Sequence, residues 1–136
     1  MLKVITFGVF DLLHIGHINL FYNSKRLGDY LIVAVQDDFN SVSNKPGLKL
    51  HDPLKTRMEK VDRVECVAKV IPYSQIDETI KTIGFDILVV GPDQKNDHFQ
   101  KAFKWCKENK KTVITIERTE GISSSLLRSK SNFARN

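Results

Sequence analysis

No stretch of this 136-residue chain is apolar for the roughly 20 residues that a membrane helix needs. The opening MLKVITFGVF lacks the basic flank, long apolar core and cleavage site of an export signal. A soluble cytoplasmic protein with no membrane insertion is therefore expected. Cysteine is scarce. Cys66 and Cys106 stand without CxxC spacing, which argues against a disulfide scaffold or a structural zinc site. Internal repeats and low-complexity linkers are also missing. The length suits one compact domain over residues 1–130 followed by a polar tail over 131–136.

What is present is an excess of positive charge. Twenty-one Lys and Arg against sixteen Asp and Glu leave a net +5 and a pI near 9.2. Such a balance suits anionic partners such as nucleotides, phosphorylated metabolites, nucleic acid or an anionic membrane surface, or else reflects a well-solvated surface. Nucleic acid is the weaker choice. The basic residues are dispersed, with no recognition helix, aromatic-basic interleaving or zinc spacing.

Short apolar runs alternate with helical patterns. KVITF (3–7), YLIVAV (30–35), VAKVI (67–71), DILVV (86–90) and TVITI (112–116) read as strands. YLIVAV is too continuously apolar for a half-exposed strand, which favours a parallel sheet covered on both faces. Helices are predicted over 15–27, from Asp52-Pro53 to about Glu65, over 74–83 and over 97–109. A last helix is predicted to start among Ser123–Ser125. The polar stretch from Gln36 to Asp52 reads as a long loop. The pattern predicts an α/β, Rossmann-like three-layer sandwich with a five-stranded parallel sheet. Segments 8–17, 36–50, 91–97 and 117–125 all follow strands, so they should meet along the edge where such sheets bind ligands.

GVFDLLHIGH, residues 8–17, concentrates the chemistry. Gly8 leaves the first strand and allows close backbone approach. His14 and His17 straddle the start of the first helix, three positions apart, and can share one side of it. Gly16 blocks nothing, and free N–H groups at the helix start attract anions. Two imidazoles and several N–H donors could offset charge on a reacting phosphate. The local pattern leaves this reading level with one of ordinary polar or buried histidines. A zinc pair completed by Asp11 is a weaker alternative.

The sequence resembles the HxGH nucleotidyltransferase superfamily, and within it the small bacterial glycerol-3-phosphate cytidylyltransferases. The motif G-x-F-D-x-x-H-x-G-H is met by Gly8, Phe10, Asp11, His14, Gly16 and His17, and RTEGISSS, Arg118 to Ser125, matches a second signature. Arg118 follows His17 by 101 positions, and LGDYLIVAV and Arg57 extend the likeness over nearly the whole chain. The resemblance implies that CTP lies over the helix start, with Gly8, Val9, Phe10, Asp11 and Gly16 at the nucleotide. It implies catalytic roles for His14, His17, Arg118 and a loop lysine, with Lys45 preferred and Lys49 close behind. Arg57, Gly91, Asp93, Thr119, Gly121, Ile122, Ser123 and Ser124 would complete the nucleotide site. Mg²⁺ would come bound through the triphosphate, with no protein ligands of its own, and the protein would be a homodimer. The partners would be CTP and a phosphorylated acceptor, most directly glycerol 3-phosphate.

Three departures bear on that acceptor. Glu65 stands where the family pattern R-Y-V-D places an arginine, and Arg63, two residues earlier, would face another way on a helix. GPDQ, Gly91 to Gln94, replaces G-D-D-W, losing an aromatic wall and adding polar Gln94 and basic Lys95. The long loop carries Pro46-Gly47. Another polyol phosphate, sugar phosphate or phosphorylated small molecule is the alternative acceptor. A non-enzymatic nucleotide-binding domain is the remaining alternative. His98 reads as structural or solvated, and Trp105 as a partly buried packing residue or a subunit contact.

Overall fold

A computed structural model describes residues 1–117. The elements run β1 (Lys3–Gly8), α1 (Ile15–Lys25), β2 (Tyr30–Gln36), α2 (Asp38–Asn44), α3 (Leu54–Asp62), β3 (Lys69–Tyr73), α4 (Ile76–Thr79) with a 3₁₀ turn (Ile80–Thr82), β4 (Ile87–Val90), α5 (Asp97–Glu108) and β5 (Thr112–Thr115). The five strands form one parallel sheet in the order β3-β2-β1-β4-β5. This is the expected α/β Rossmann-like sandwich. The alternation of side chains along each strand feeds two cores. Ile5, Phe7, Ile32, Ala34, Leu88 and Val90 pack under α4 and α5. Val4, Leu31, Val33, Val35 and Val89 pack under α1 and α3 with Phe21 and Val61. The central strands β1 and β2 are buried on both faces, as their unbroken apolar runs require.

Five local readings need correction. The stretch from Gln36 to Asp52 is not all loop. Asp37 accepts the Asn40 N–H at 2.7 Å and starts α2, a helix concealed in sequence because its large apolar residues, Phe39 and Val42, are exposed. Asp52 does not cap α3. Pro53 holds the cap position without a side-chain bond, while the Asp52 carboxylate takes Lys60 at 2.7 Å. α3 stops at Asp62, so Arg63 and Glu65 lie in the exposed turn beyond it, where helical-face arguments do not apply. Pro72 sits inside β3 rather than ending it, which an edge strand tolerates because one side of it needs no N–H. The region predicted as one helix over 74–83 is a single α turn followed by a 3₁₀ turn. Trp105 is half-buried against Phe85, with ring centroids 6.2 Å apart.

Gly28 is where α1 returns to the sheet. A Cβ there would come within 2.7 Å of the Leu2 carbonyl and 2.8 Å of Val4 Cγ2. The same carbonyl accepts the N–H groups of Asp29 and Tyr30 and cannot retreat without loosening the start of β2. Gly28→Ala should therefore lower stability by about 1–3 kcal/mol. Urea unfolding checks this, and an unchanged midpoint would show that the α1–β2 turn relaxes freely.

Candidate functional site

The start of α1 is built by its two histidines. His14 is the N-cap residue, and its Nδ1 accepts the Gly16 N–H at 3.0 Å. His17 reaches back, its Nδ1 accepting the His14 N–H at 3.3 Å. The pair forms a reciprocal capping box with imidazoles in place of the usual hydroxyl and carboxylate. The rings stack with centroids 3.9 Å apart and planes 22° from parallel. Because each Nδ1 accepts, the neutral tautomer of each ring carries its proton on Nε2. The helix cap thus presents two N–H donors on the ring edges that face away from the backbone.

Burial keeps both rings neutral. It lowers the pKa of His14, and burial together with the charges of His14 and Lys45 pushes His17 down to about 3, against an opposing effect of Asp11. Lys45, the C-cap residue of α2, is close enough for its charge to bear on His17.

The loop before His14 is tightly constrained. Phe10 and Leu12 adopt φ of 52° and 50°, a region that costs a bulky residue roughly 1–2 kcal/mol. The Phe10 ring is buried, 5.5 Å from the His17 ring and 5.1 Å from Phe21. It also fills the space that Gly8 leaves open, since a Cβ on Gly8 would lie 2.7 Å from Phe10 Cζ. The room attributed to ligand approach at Gly8 is thus taken by the chain's own ring. Asp11, between the two left-handed residues, accepts the N–H groups of His51 at 2.7 Å and Asp52 at 3.0 Å. It ties the histidine loop to the segment leading into α3.

Arg57 is neither a solvated helix residue nor an open phosphate contact. Its side chain is fully buried. Nε donates to the Asp52 carbonyl at 3.0 Å, Nη1 to the carbonyls of Val9 and Gln36, each at 2.8 Å, and Nη2 to the Asp38 carboxylate. One guanidinium thus joins the ends of β1 and β2, the start of α2 and the approach to α3. Nothing in the sequence pattern singled out Asp38, although an acidic pair directly after a buried strand is the signal that could have found it.

At the end of β4, Gln94 Nε2 donates to the Phe7 carbonyl at 2.7 Å, and Gln94 Oε1 accepts the Gly91 N–H at 3.0 Å. Asp93 shares this loop, and a Cβ on Gly91 would meet nothing within 4 Å. His98 pairs with Asp77 at 2.8 Å, away from the histidine pair, in the structural role expected of it. Arg118, Thr119, Gly121, Ile122, Ser123 and Ser124, with the predicted last helix, lie outside the described residues.

Neither cysteine suits nucleophilic chemistry. Burial raises the Cys66 thiol and pushes Cys106 up to about 11, so both are protonated near neutral pH. Among the described residues, Asp11, His51 and Asp52 are close enough together to consider as metal ligands. Their oxygens are already engaged by the backbone N–H groups of His51 and Asp52, by Lys60 and by the His51 ring. They do not fit a dedicated cation site. No helix among the described residues is long and apolar enough to cross a membrane.

A family model described as cytidylyltransferase-like matches residues 5–130. The chain belongs to the cytidylyltransferase family. It is 34% identical to the glycerol-3-phosphate cytidylyltransferase of Staphylococcus aureus over 129 residues, covering 94% of this chain and 93% of the relative. It is 36% identical to the Bacillus subtilis glycerol-3-phosphate cytidylyltransferase over 129 residues, covering 94% and 95%. Among solved structures, a lipopolysaccharide core biosynthesis protein from Thermoplasma volcanium superposes with a TM-score of 0.70 at 29% identity, covering 88% of this chain and 97% of that one. The protein is thus an enzyme of a CTP-dependent family that acts on phosphorylated small molecules. For a cytidylyltransferase, paired neutral Nε2–H donors at a helix start are chemically apt, because they bind a charged phosphate without bringing a proton that must be removed.

Two consequences can be measured. An unfolded histidine titrates near 6.5. Between that value and about 3, the unfolded chain holds a proton at position 17 that the folded enzyme lacks. The stability associated with neutral His17 is therefore complete above about pH 6.5 and falls as the pH drops through that window. Urea midpoints should decline from pH 7 to about pH 4.5, and His17→Asn should flatten the decline; an equal slope in the variant would remove His17 as its cause. Arg57→Met leaves the Val9, Gln36 and Asp52 carbonyls without this donor and should cost about 3 kcal/mol or more in urea unfolding. A loss below about 1 kcal/mol would mean that solvent readily takes its place.

Proposed function

We propose that this cytidylyltransferase transfers CMP from CTP to glycerol 3-phosphate, giving CDP-glycerol and pyrophosphate. The observation that carries the reading is the 34–36% identity to two glycerol-3-phosphate cytidylyltransferases over 94% of the chain. A phosphate oxygen of the acceptor attacks the α-phosphorus and forms the new P–O bond. The bond from the α-phosphorus to the bridging oxygen breaks, and pyrophosphate leaves with the electron pair. The nucleophile is already anionic, so no side chain has to remove a proton. Positioning and charge stabilisation carry the rate.

His14 and His17 donate from Nε2 to the phosphates. Lys45 supplies positive charge beside them, and Arg118, which follows β5 in the sequence, supplies more. Gly8, Val9, Phe10, Asp11, Gly16, Gly91, Asp93, Thr119, Gly121, Ile122, Ser123 and Ser124 form the nucleotide site, with Arg57 holding its shape. Mg²⁺ held through the triphosphate would supply charge screening there, while His14, His17 and Lys45 orient the phosphates. The enzyme works as a homodimer in the cytoplasm, as one domain over residues 1–130.

A second reading keeps CTP and changes the acceptor to another polyol phosphate, a sugar phosphate or a phosphorylated small molecule. The exposed Glu65, standing where the family pattern has an arginine, favours it. A pyrophosphate-release screen crossing the four nucleoside triphosphates with these acceptors separates the two. CTP with glycerol 3-phosphate should give the highest kcat/KM, and a higher value with another acceptor would replace the first reading by the second. His14→Ala should reduce kcat on the order of 100-fold or more; unchanged turnover would remove the histidine pair from the chemistry.

A further inference from the structure

α2 carries Lys45 at its C-cap, yet apolar packing does little to hold the helix. Ser41 is its one buried residue, and Phe39 and Val42 face solvent. The N-terminal end is secured by the Asp37 cap and by the bond from Arg57 to Asp38. At 1.5 Å per residue, Lys45 lies about 10 Å from that end, so a tilt of about 10° would move it by about 2 Å. A shift of that size is large against the precision that a reacting phosphate requires. The far end of α2 therefore needs a fixing contact of its own.

Gln75, in the turn after β3, makes that contact. Its Nε2 donates to Asn40 Oδ1 at 2.9 Å and to Asn44 Oδ1 at 3.3 Å, and its Oε1 accepts from Asn44 Nδ2 at 2.9 Å. Asn44 directly precedes Lys45. Gln75 is also the N-cap residue of α4, yet its side chain makes no capping bond there. Its amide is committed to α2 instead.

Asp37 sets the direction of this chain of amides. Partial burial opposes its ionisation, but the bonds from Asn40 and Ser74 outweigh that effect and lower its pKa. An ionised carboxylate can only accept. Asn40 must therefore turn Nδ2 toward Asp37, where both oxygens lie at 3.0 Å, and offer Oδ1 to Gln75. Gln75 in turn must point Nε2 at Asn40, which leaves Oε1 for Asn44. Each amide is locked in one orientation, and the last of them ends beside Lys45.

We propose that Gln75 is a positioning residue for nucleotide binding, holding Lys45 beside His17 by fixing the C-terminal end of α2. The inference rests on the reading that Lys45 meets the phosphates of CTP, and it is independent of the acceptor.

Isothermal titration of the full chain with CTP and Mg²⁺, without acceptor, tests it in a double-mutant cycle. Gln75→Leu and Asn44→Ala cut the contact from its two sides. Alanine favours a helix more than asparagine does, so Asn44→Ala loosens the attachment without weakening α2 itself. Each variant should bind CTP about fivefold or more weakly than the native enzyme. In a Lys45→Ala background, the same changes should cost less than about twofold, because the group they position is gone. Hydrogen exchange of the free enzyme should quicken about tenfold in α2 for Gln75→Leu and stay unchanged in β2, which a general loss of stability would not produce. Native affinity in both folded variants, or their full loss repeated on top of Lys45→Ala, overturns the assignment. Native affinity in Lys45→Ala itself would remove Lys45 from the phosphates and overturn the inference together with that reading. Failure of glycerol 3-phosphate as acceptor would leave all of these titrations unaffected.

Discussion

A buried guanidinium that finds its partners mainly among backbone carbonyls is the constraint on which the rest of the site depends. Arg57 is charged at every physiological pH and is removed from water, so its donors must be met inside the protein. They are met by the carbonyls of Val9, Gln36 and Asp52 and by the Asp38 carboxylate. Val9 continues from β1 into the histidine loop, Gln36 ends β2, and Asp52 precedes α3. Three segments far apart in sequence thereby converge on one planar group. A lysine offers a single point charge and could not reproduce that fork.

The histidine loop uses this anchorage. Phe10 and Leu12 hold left-handed backbone angles at an energetic cost, and such angles persist only where the surroundings over-determine them. Arg57 secures the loop at Val9, and Asp11 secures it through two backbone N–H groups. The Phe10 ring lies over Gly8 and beside His17, with Phe21 beneath it in the core under α1. The active edge therefore rests directly on core packing. The two imidazoles there are neutral, so the positive character beside them comes from Lys45 and the helix N-terminus.

The sequence made the central strands legible because YLIVAV and DILVV have no polar face to expose. The histidine cap was legible because its geometry is local, within four residues. What escaped were arrangements whose partners are backbone atoms. Arg57 read, through the resemblance, as a contact in the nucleotide site, and its buried role escaped because carbonyl acceptors leave no mark on residue identity. Gln94 read as one polar residue replacing a tryptophan, and both of its bonds go to backbone atoms, one of them 87 residues away. α2 escaped because Phe39 and Val42 face solvent and supply no periodic apolar stripe. At Gly8, the glycine correctly signalled a close approach, but the approaching group is the ring of Phe10.

Pro72 is the fourth of the five residues of β3, on the outer margin of the sheet as the described residues form it, aligned with Val35 of β2. Its nitrogen carries no hydrogen, and its ring thickens the strand where a stray extended peptide would otherwise dock. That margin is a poor template for further strand addition, in a molecule whose interior strands are almost purely apolar and would aggregate readily if an edge invited pairing. The residue that looked like the end of a strand serves instead as a guard on it.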